Sequence, residues 1–285
     1  MASASASTRF KLEPAPWTCK CTAYVCTFWR SPSHSLPDEV YDNLEAQSPA
    51  FHSADEAYLG GLCLVQIIRY TSTPVGPYDE LAILPGFFQR KGEKEKYARI
   101  SRIYVSQKDT CYNGRKNWNI PKHMARFEFT SLGETAEQQR LLSGREAVQP
   151  GGLRVDVFSA DTGAEKAFFS ATLRPVRFPI PYIPFSSTWL TTIGINPSLL
   201  QPPLPQGDTA EECKTQSWRK SVAKLSSRKS SVMWCEMTLP QGGRNEKMSP
   251  FLPGDAGKWW AKWFVALQME DAILEIGEPD VVDFI

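Results

Sequence analysis

The stretch "NGRKNWNIPKHMARFEF", residues 113–129, places a Gly-Arg pair, a tryptophan and a proline ahead of Lys122 and runs on into an apolar strand. Lysine is seldom buried, so a solvated surface charge is its ordinary fate. Lys122 lies among Trp118, Ile120, Pro121 and Met124, where the alternative is a desolvated, nucleophilic amine. An ordinary lysine, with a pKa near 10.4, is uncharged in only about one molecule in 2,500 at pH 7, and a working amine needs its charged form disfavoured by roughly 4 kcal/mol. Burial moves lysines by about that much, so burial is expected to depress the pKa of Lys122. Pro121 biases the preceding residue towards an extended backbone, which sends side chains 122 and 123 to opposite faces. Lys122 is then expected to enter an interior while His123, mostly neutral at pH 7, packs behind it.

The same strand character recurs along the chain. The segments 61–70 (GLCLVQIIRY), 97–106 (YARISRIYVS), 124–132 (MARFEFTSL), 153–161 (LRVDVFSAD) and 166–175 (KAFFSATLRP) are short, rich in β-branched and aromatic residues, and bounded by turn clusters. Leu153, Val155 and Val157 alternate with Arg154 and Asp156, the pattern of a half-buried antiparallel strand. Residues 18–29, 230–240 and 271–279 read as strands as well. One helix is expected over 36–47, where Pro37 suits the first helical position and Asp38 and Glu39 complement the helix dipole. Many strands with few helices predict a mainly β fold, a closed or nearly closed antiparallel β-barrel with peripheral helices. A single domain over residues 1–285 is expected, with a flexible N-terminal tail over 1–14 and a mobile insertion over 201–231 that interrupts the strand rhythm. The aromatic run at 258–268 (KWWAKWFVALQ) is read as core or subunit-interface packing in preference to an interfacial membrane helix.

Thirty-two Lys and Arg against 31 Asp and Glu leave a formal charge of +1, which supplies no attraction for nucleic acid or an anionic membrane. No stretch approaches the ~18 apolar residues of a membrane helix, and a soluble, cytoplasmic protein is expected. Seven cysteines, an odd number and mostly scattered, suit reduced thiols. Cys19, Cys21 and Cys26 are spaced C-x-C-x4-C but lack a fourth ligand nearby, so no metal is expected. His34 and His52 belong to no motif, and no phosphate loop or dinucleotide fingerprint appears, so no cofactor is expected. A small-molecule partner remains.

Glu80 closes "GPYDE", residues 76–80, and leads into an apolar run, an expensive place for a carboxylate unless it is paired or functional. This segment followed by "GRKNWNIPKH" resembles the acetoacetate decarboxylase superfamily, whose members carry Gly-x-Tyr-x-Glu and then a Gly-Arg element ending in a Lys-Lys-like pair. It resembles in particular the eukaryotic, chiefly fungal, branch, over residues 22–176. The resemblance implies a cone-like barrel around an interior cavity, a homo-oligomer, a Schiff-base lysine at Lys122, a partner glutamate at Glu80 and a cavity arginine at Arg30 of "TFWRSP". Where decarboxylases have a second lysine this chain has His123, and where they have a further cavity glutamate the nearest match is Gln66. Gln66, Tyr78, Arg115 and Trp118 are the expected substrate contacts. The implied chemistry is attack of the amine on a β-keto acid or a polyketide-like ketone of secondary metabolism, with decarboxylation or aldol-type change through an iminium. The alternatives are an acid-base isomerase or cyclase with no covalent intermediate, and a non-catalytic small-ligand binder on the same scaffold.

Overall fold

Two apolar interiors share most of the long strands. The computed structural model describes residues 10–31, 36, 40–133, 152–160, 163, 166–176, 182–238 and 263–282. The first strands are β1 (Trp17–Arg30), β2 (Glu56–Ser72), β3 (Tyr78–Leu84), β4 (Phe87–Arg90), β5 (Lys96–Ala98), β6 (Arg102–Val105) and β7 (Lys122–Ser131). They are followed by β8 (Leu153–Ser159), β9 (Phe169–Pro175), β10 (Ile183–Ser186), β11 (Ser198–Gln201), β12 (Trp218–Thr238), β13 (Trp263–Ile276) and β14 (Asp280–Val282). The α-helices are α1 (Asn43–Ala46) and α2 (Lys108–Trp118).

Because side chains alternate across a strand, one face of β3 sends Tyr78, Ala82 and Leu84 into a core with Ile103, Val105 and Trp118. The other face sends Leu81 and Ile83 into a second core with Val155, Val157 and Phe169. Burial on both faces is why "YDELAIL" reads as a nearly continuous apolar run.

Pairing runs β1, β2, β3, β6, β7, β8, β9, β12, β13 and back to β1, a closed circuit of strands. A second path joins β2 to β12 through β4, β5 and β11. The expectation of a purely antiparallel arrangement is corrected at two places, since β6 and β7 are parallel, as are β5 and β11. Parallel neighbours need a crossover, and α2 supplies it between β6 and β7.

This helix was not among the expected ones. Its end signals are present: Asp109 in the first turn, Arg115 and Lys116 in the last, and the left-handed cap Asn119 (φ 55°) ahead of Pro121. Its buried face carries Thr110, Cys111, Asn113, Gly114, Arg115 and Trp118, too polar a set to give an apolar stripe. Conversely, the helix expected over 36–47 is short: α1 spans Asn43–Ala46 behind the cap Asp42, and residues 37–39 lie outside those described. The strand expected over 97–106 is broken into β5 and β6.

Of residues 201–231, only 202–217 lie outside the strands, as the loop between β11 and β12. Gln201, Leu204 and Glu211 are buried, and from Trp218 the chain forms β12, which pairs with β9, β10, β11, β13 and β14. Its serine-rich sequence hides the pattern, because Ser221, Ser227 and Ser230 take inward places beside Leu225 while Lys224, Arg228 and Lys229 face water. Residues 1–9 lie outside the description, but Phe10 stacks on Tyr112 of α2 at 4.6 Å and the Glu13 amide donates to Asn113 at 2.9 Å. Of the aromatic run, residues 258–262 are likewise outside, and from Trp263 onward it is strand β13. Among the described residues no helix is long and apolar enough to cross a membrane.

Candidate functional site

Strand β6 lies between the two strands that carry the chemistry. Glu80 of β3 sits opposite Val105, and Lys122, the first residue of β7, sits beside Ile103. The Lys122 stem reaches across so that Nζ lies 2.9 Å from Glu80 Oε2, with the two side chains only 5% and 6% exposed. Nζ also donates to Thr110 Oγ1 at 2.9 Å and to the Tyr78 hydroxyl at 3.4 Å, while the Tyr70 hydroxyl donates to Glu80 Oε1 at 3.0 Å. Tyr70 and Tyr78 face each other across the β2–β3 hairpin, their rings 4.3 Å apart. Burial pushes both phenols above their ordinary range, so both stay un-ionised.

The Gly-Arg element ahead of the lysine has a physical reading. A Cβ on Gly114 would meet Lys122 Cδ at 2.6 Å and Cε at 2.8 Å, so the bare glycine of α2 is the groove along which the lysine stem lies. Arg115, fully buried, donates from Nη1 to the Lys122 carbonyl at 3.2 Å and to Glu45 Oε1 at 3.0 Å, and from Nη2 to the Pro205 carbonyl at 3.0 Å.

Lys122 and Glu80 open onto a cavity of about 270 Å³ whose walls include Val25, Ile68, Ile103, Ile120, Leu225 and Leu274. Gln66 lines it, and Tyr78 is held at the lysine. Arg30 is not brought there. Val25 and Thr27 of β1 face the cavity, and alternation puts Arg30 on the other face with Cys26 and Phe28. Nor do Arg115 or Trp118 line the cavity. Arg115 clamps backbone, while the Trp118 indole donates to the Gly277 carbonyl at 2.8 Å and meets Trp17 edge-on at 5.2 Å. Cys19 and Cys21 lie in the core on the cavity side and Cys26 in the other, and burial pushes the Cys19 thiol up to about 11 and the Cys21 thiol to about 12.

Two electrostatic expectations are overturned. Burial by itself pushes the Lys122 ammonium down, but Glu80 and Tyr78 outweigh it and hold the amine above the ordinary lysine range. His123 does point away from the cavity, yet it is not neutral. Its Nε2 lies 2.7 Å from Glu45 Oε2 and its Nδ1 lies 2.8 Å from Glu212 Oε1. Burial alone would lower its pKa, and Glu45 and Glu212 reverse this and raise it to about 10. The hydrogen bond from His123 in turn holds the Glu212 carboxyl down at about 2. Asp42, Glu45 and His123 are the one group among the described residues whose ligand atoms, within 4.8 Å of one another, could hold a metal ion. Both imidazole nitrogens are already engaged by carboxylates, and Arg115 occupies the other oxygen of Glu45.

Thr110, Tyr70, Glu45 and Glu212 were not anticipated from the sequence. Tyr70 was within reach, since a hairpin closing through Pro74 and Gly76 brings it opposite Tyr78. Glu45 and Glu212 arrive from distant segments of the chain and leave no local signal.

No established family profile matches the chain. Among solved structures it is similar to acetoacetate decarboxylase from Legionella pneumophila, at 11% identity and a TM-score of 0.60, covering 99% of this chain and 93% of that one. It is also similar to an acetoacetate decarboxylase-like enzyme from Sphingomonas wittichii RW1 (10% identity, TM-score 0.56, 96% and 95% covered). A third likeness is to the enduracididine biosynthesis enzyme MppR in complex with pyruvate (10%, 0.51, 95% and 92%). At these identities the likeness is one of fold, and the chain has the acetoacetate decarboxylase-like fold. Protein NEOXANTHIN-DEFICIENT 1 of Oryza sativa subsp. japonica is 33% identical over 72 residues, which are 25% of this chain and 22% of that protein, so the match spans about a fifth of the relative's length.

Replacing a helical glycine by alanine ordinarily stabilises by about 1 kcal/mol. Gly114→Ala is expected to do the opposite, destabilising by about 1–3 kcal/mol through overpacking against Lys122, as measured by the shift of the urea midpoint. His123 has a folded pKa raised from 6.5 to about 10, so its contribution to stability is complete below pH 6.5 and is lost as the pH climbs through about 10. Urea titrations at several pH values should therefore show wild-type stability falling over that window and a flatter profile for His123→Gln. At pH 6 the variant should be less stable by about 3 kcal/mol or more, the cost of stripping a partner from a buried ion pair.

Proposed function

We propose that this protein is an acetoacetate decarboxylase-like enzyme in which Lys122 forms a Schiff base with a carbonyl substrate and Glu80 serves as its proton partner. The observation that carries this reading is the buried Lys122–Glu80 pair, 2.9 Å apart, at the wall of a largely apolar cavity. The strand circuit is read as the cone-like barrel of such enzymes, with the pair at its inner surface.

The first step is a proton transfer from Nζ to Glu80 Oε2, which converts the ion pair into a neutral amine and a carboxylic acid with no change in net charge. The amine's lone pair adds to the carbonyl carbon. Glu80 returns its proton to the oxygen, then relays a second proton from the nitrogen of the carbinolamine to the same hydroxyl, which leaves as water, and the product is an iminium. Its positive nitrogen accepts the electron pair of a neighbouring C–C bond, from a carboxylate or from an aldol-type linkage, to give an enamine. Protonation at carbon and hydrolysis then release product and amine. Tyr70 and Thr110 hold Glu80 and Lys122 at the distance the transfer needs.

A second reading has its own support. Glu80 and Tyr78 favour the ammonium form of Lys122, so the pair is equally arranged to act as general acid and base, without a covalent intermediate, in an isomerase or cyclase.

Incubation with a panel of ketones and keto acids in the presence of borohydride should add the mass of a reduced ligand at Lys122. Lys122→Met should abolish the adduct, and Glu80→Gln should slow turnover by about 10²- to 10⁴-fold, the usual contribution of a positioned acid-base group. Turnover with no trapped adduct on any substrate establishes the acid-base reading instead.

A further inference from the structure

The cavity walls bear on which carbonyl compound is taken. Resting on the reading of Lys122 as the nucleophile, we infer that the substrate is a neutral, largely apolar ketone or aldehyde and not a keto acid.

Among the described residues lining the cavity, Lys122 is the one cation and Glu80 the one carboxylate. They neutralise each other at 2.9 Å, and Lys122 must give up its proton before it can attack. A substrate carboxylate would then sit in the same enclosure as the Glu80 carboxyl group with no cation to meet it. The one arginine expected there, Arg30, is not among the residues lining the cavity. A buried charge without a partner is disfavoured strongly enough to weaken binding by at least about 100-fold.

The remaining polar groups on the wall, Thr27, Gln66, Tyr70, Ser187 and Asn196, are uncharged and suit a carbonyl or hydroxyl oxygen. Apart from Lys122 and Glu80, everything else is apolar and comes from separate elements, including Ile68 of β2, Ile103 of β6, Leu225 of β12 and Leu274 of β13. Such a wall favours an apolar body through burial of its surface. The volume of about 270 Å³ leaves room for a carbonyl with a hydrocarbon tail.

The test compares 2-octanone with 2-oxooctanoate, which share a tail and a carbonyl and differ in the carboxylate. Binding is read by calorimetry at pH 7 without reductant, and covalent capture by intact mass after cyanoborohydride. The ketone is expected to bind at least about 100-fold more tightly than the keto acid. Gln66→Arg, which places a cation on the cavity wall, should narrow that ratio at least tenfold, with circular dichroism confirming that the variant is folded. The wild-type comparison stands without the variant. Equal or tighter binding of 2-oxooctanoate, or no binding of 2-octanone, overturns the inference. Tight binding of 2-octanone with no adduct at Lys122 upholds the apolar cavity and overturns the Schiff-base reading, so the two failures are distinguishable.

Discussion

A lysine ammonium and a glutamate carboxylate 2.9 Å apart, both shut away from water, constrain everything around them. Each charge alone would cost several kcal/mol to bury, and together they are tolerable only with good geometry and with their other hydrogen-bonding positions filled. The surroundings meet that demand. Thr110 and Tyr78 accept from the ammonium and Tyr70 donates to the carboxylate. Gly114 clears a path for the lysine stem. The same arrangement sets the chemistry, because a proton passing from nitrogen to oxygen leaves a neutral amine and a neutral acid, a pair that an apolar cavity accommodates better than two separated ions.

The other side of β7 repeats the logic with different residues. His123, next in sequence and opposite in direction, is clasped between Glu45 at 2.7 Å and Glu212 at 2.8 Å. Glu45 belongs to α1 and Glu212 to the loop that follows β11, so the imidazolium ties two distant segments to the strand carrying the lysine. Arg115 completes the assembly by holding Glu45 and the Lys122 carbonyl with a single nitrogen. The lysine is thus fixed from in front by its carboxylate and from behind by its backbone.

Alternation and composition made most long strands legible, and the resemblance to the acetoacetate decarboxylase superfamily implied the meeting of Lys122 and Glu80. What they could not convey was arrangement across elements. The helix α2 went unread because its buried face is polar, and with it went the parallel pairing of β6 and β7. Serines in inward positions disguised the first part of β12 as a loop. Arg30 was assigned to the cavity by the resemblance, whereas the strand's alternation from Thr27 turns it to the opposite face. The charge state of His123 depended on Glu45 and Glu212, which lie far from it in the chain.

The balance between burial and pairing at Lys122 is measured most directly by following the side-chain nitrogen with ¹⁵N NMR through a pH titration, in wild type and in Glu80→Gln. Wild type is expected to keep the ammonium past the ordinary lysine value of 10.5, and the variant, with burial left unopposed by that carboxylate, to lose its proton well below it. An unchanged titration in the variant, or a wild-type amine already neutral at pH 7, would contradict the ion pair as the organising interaction.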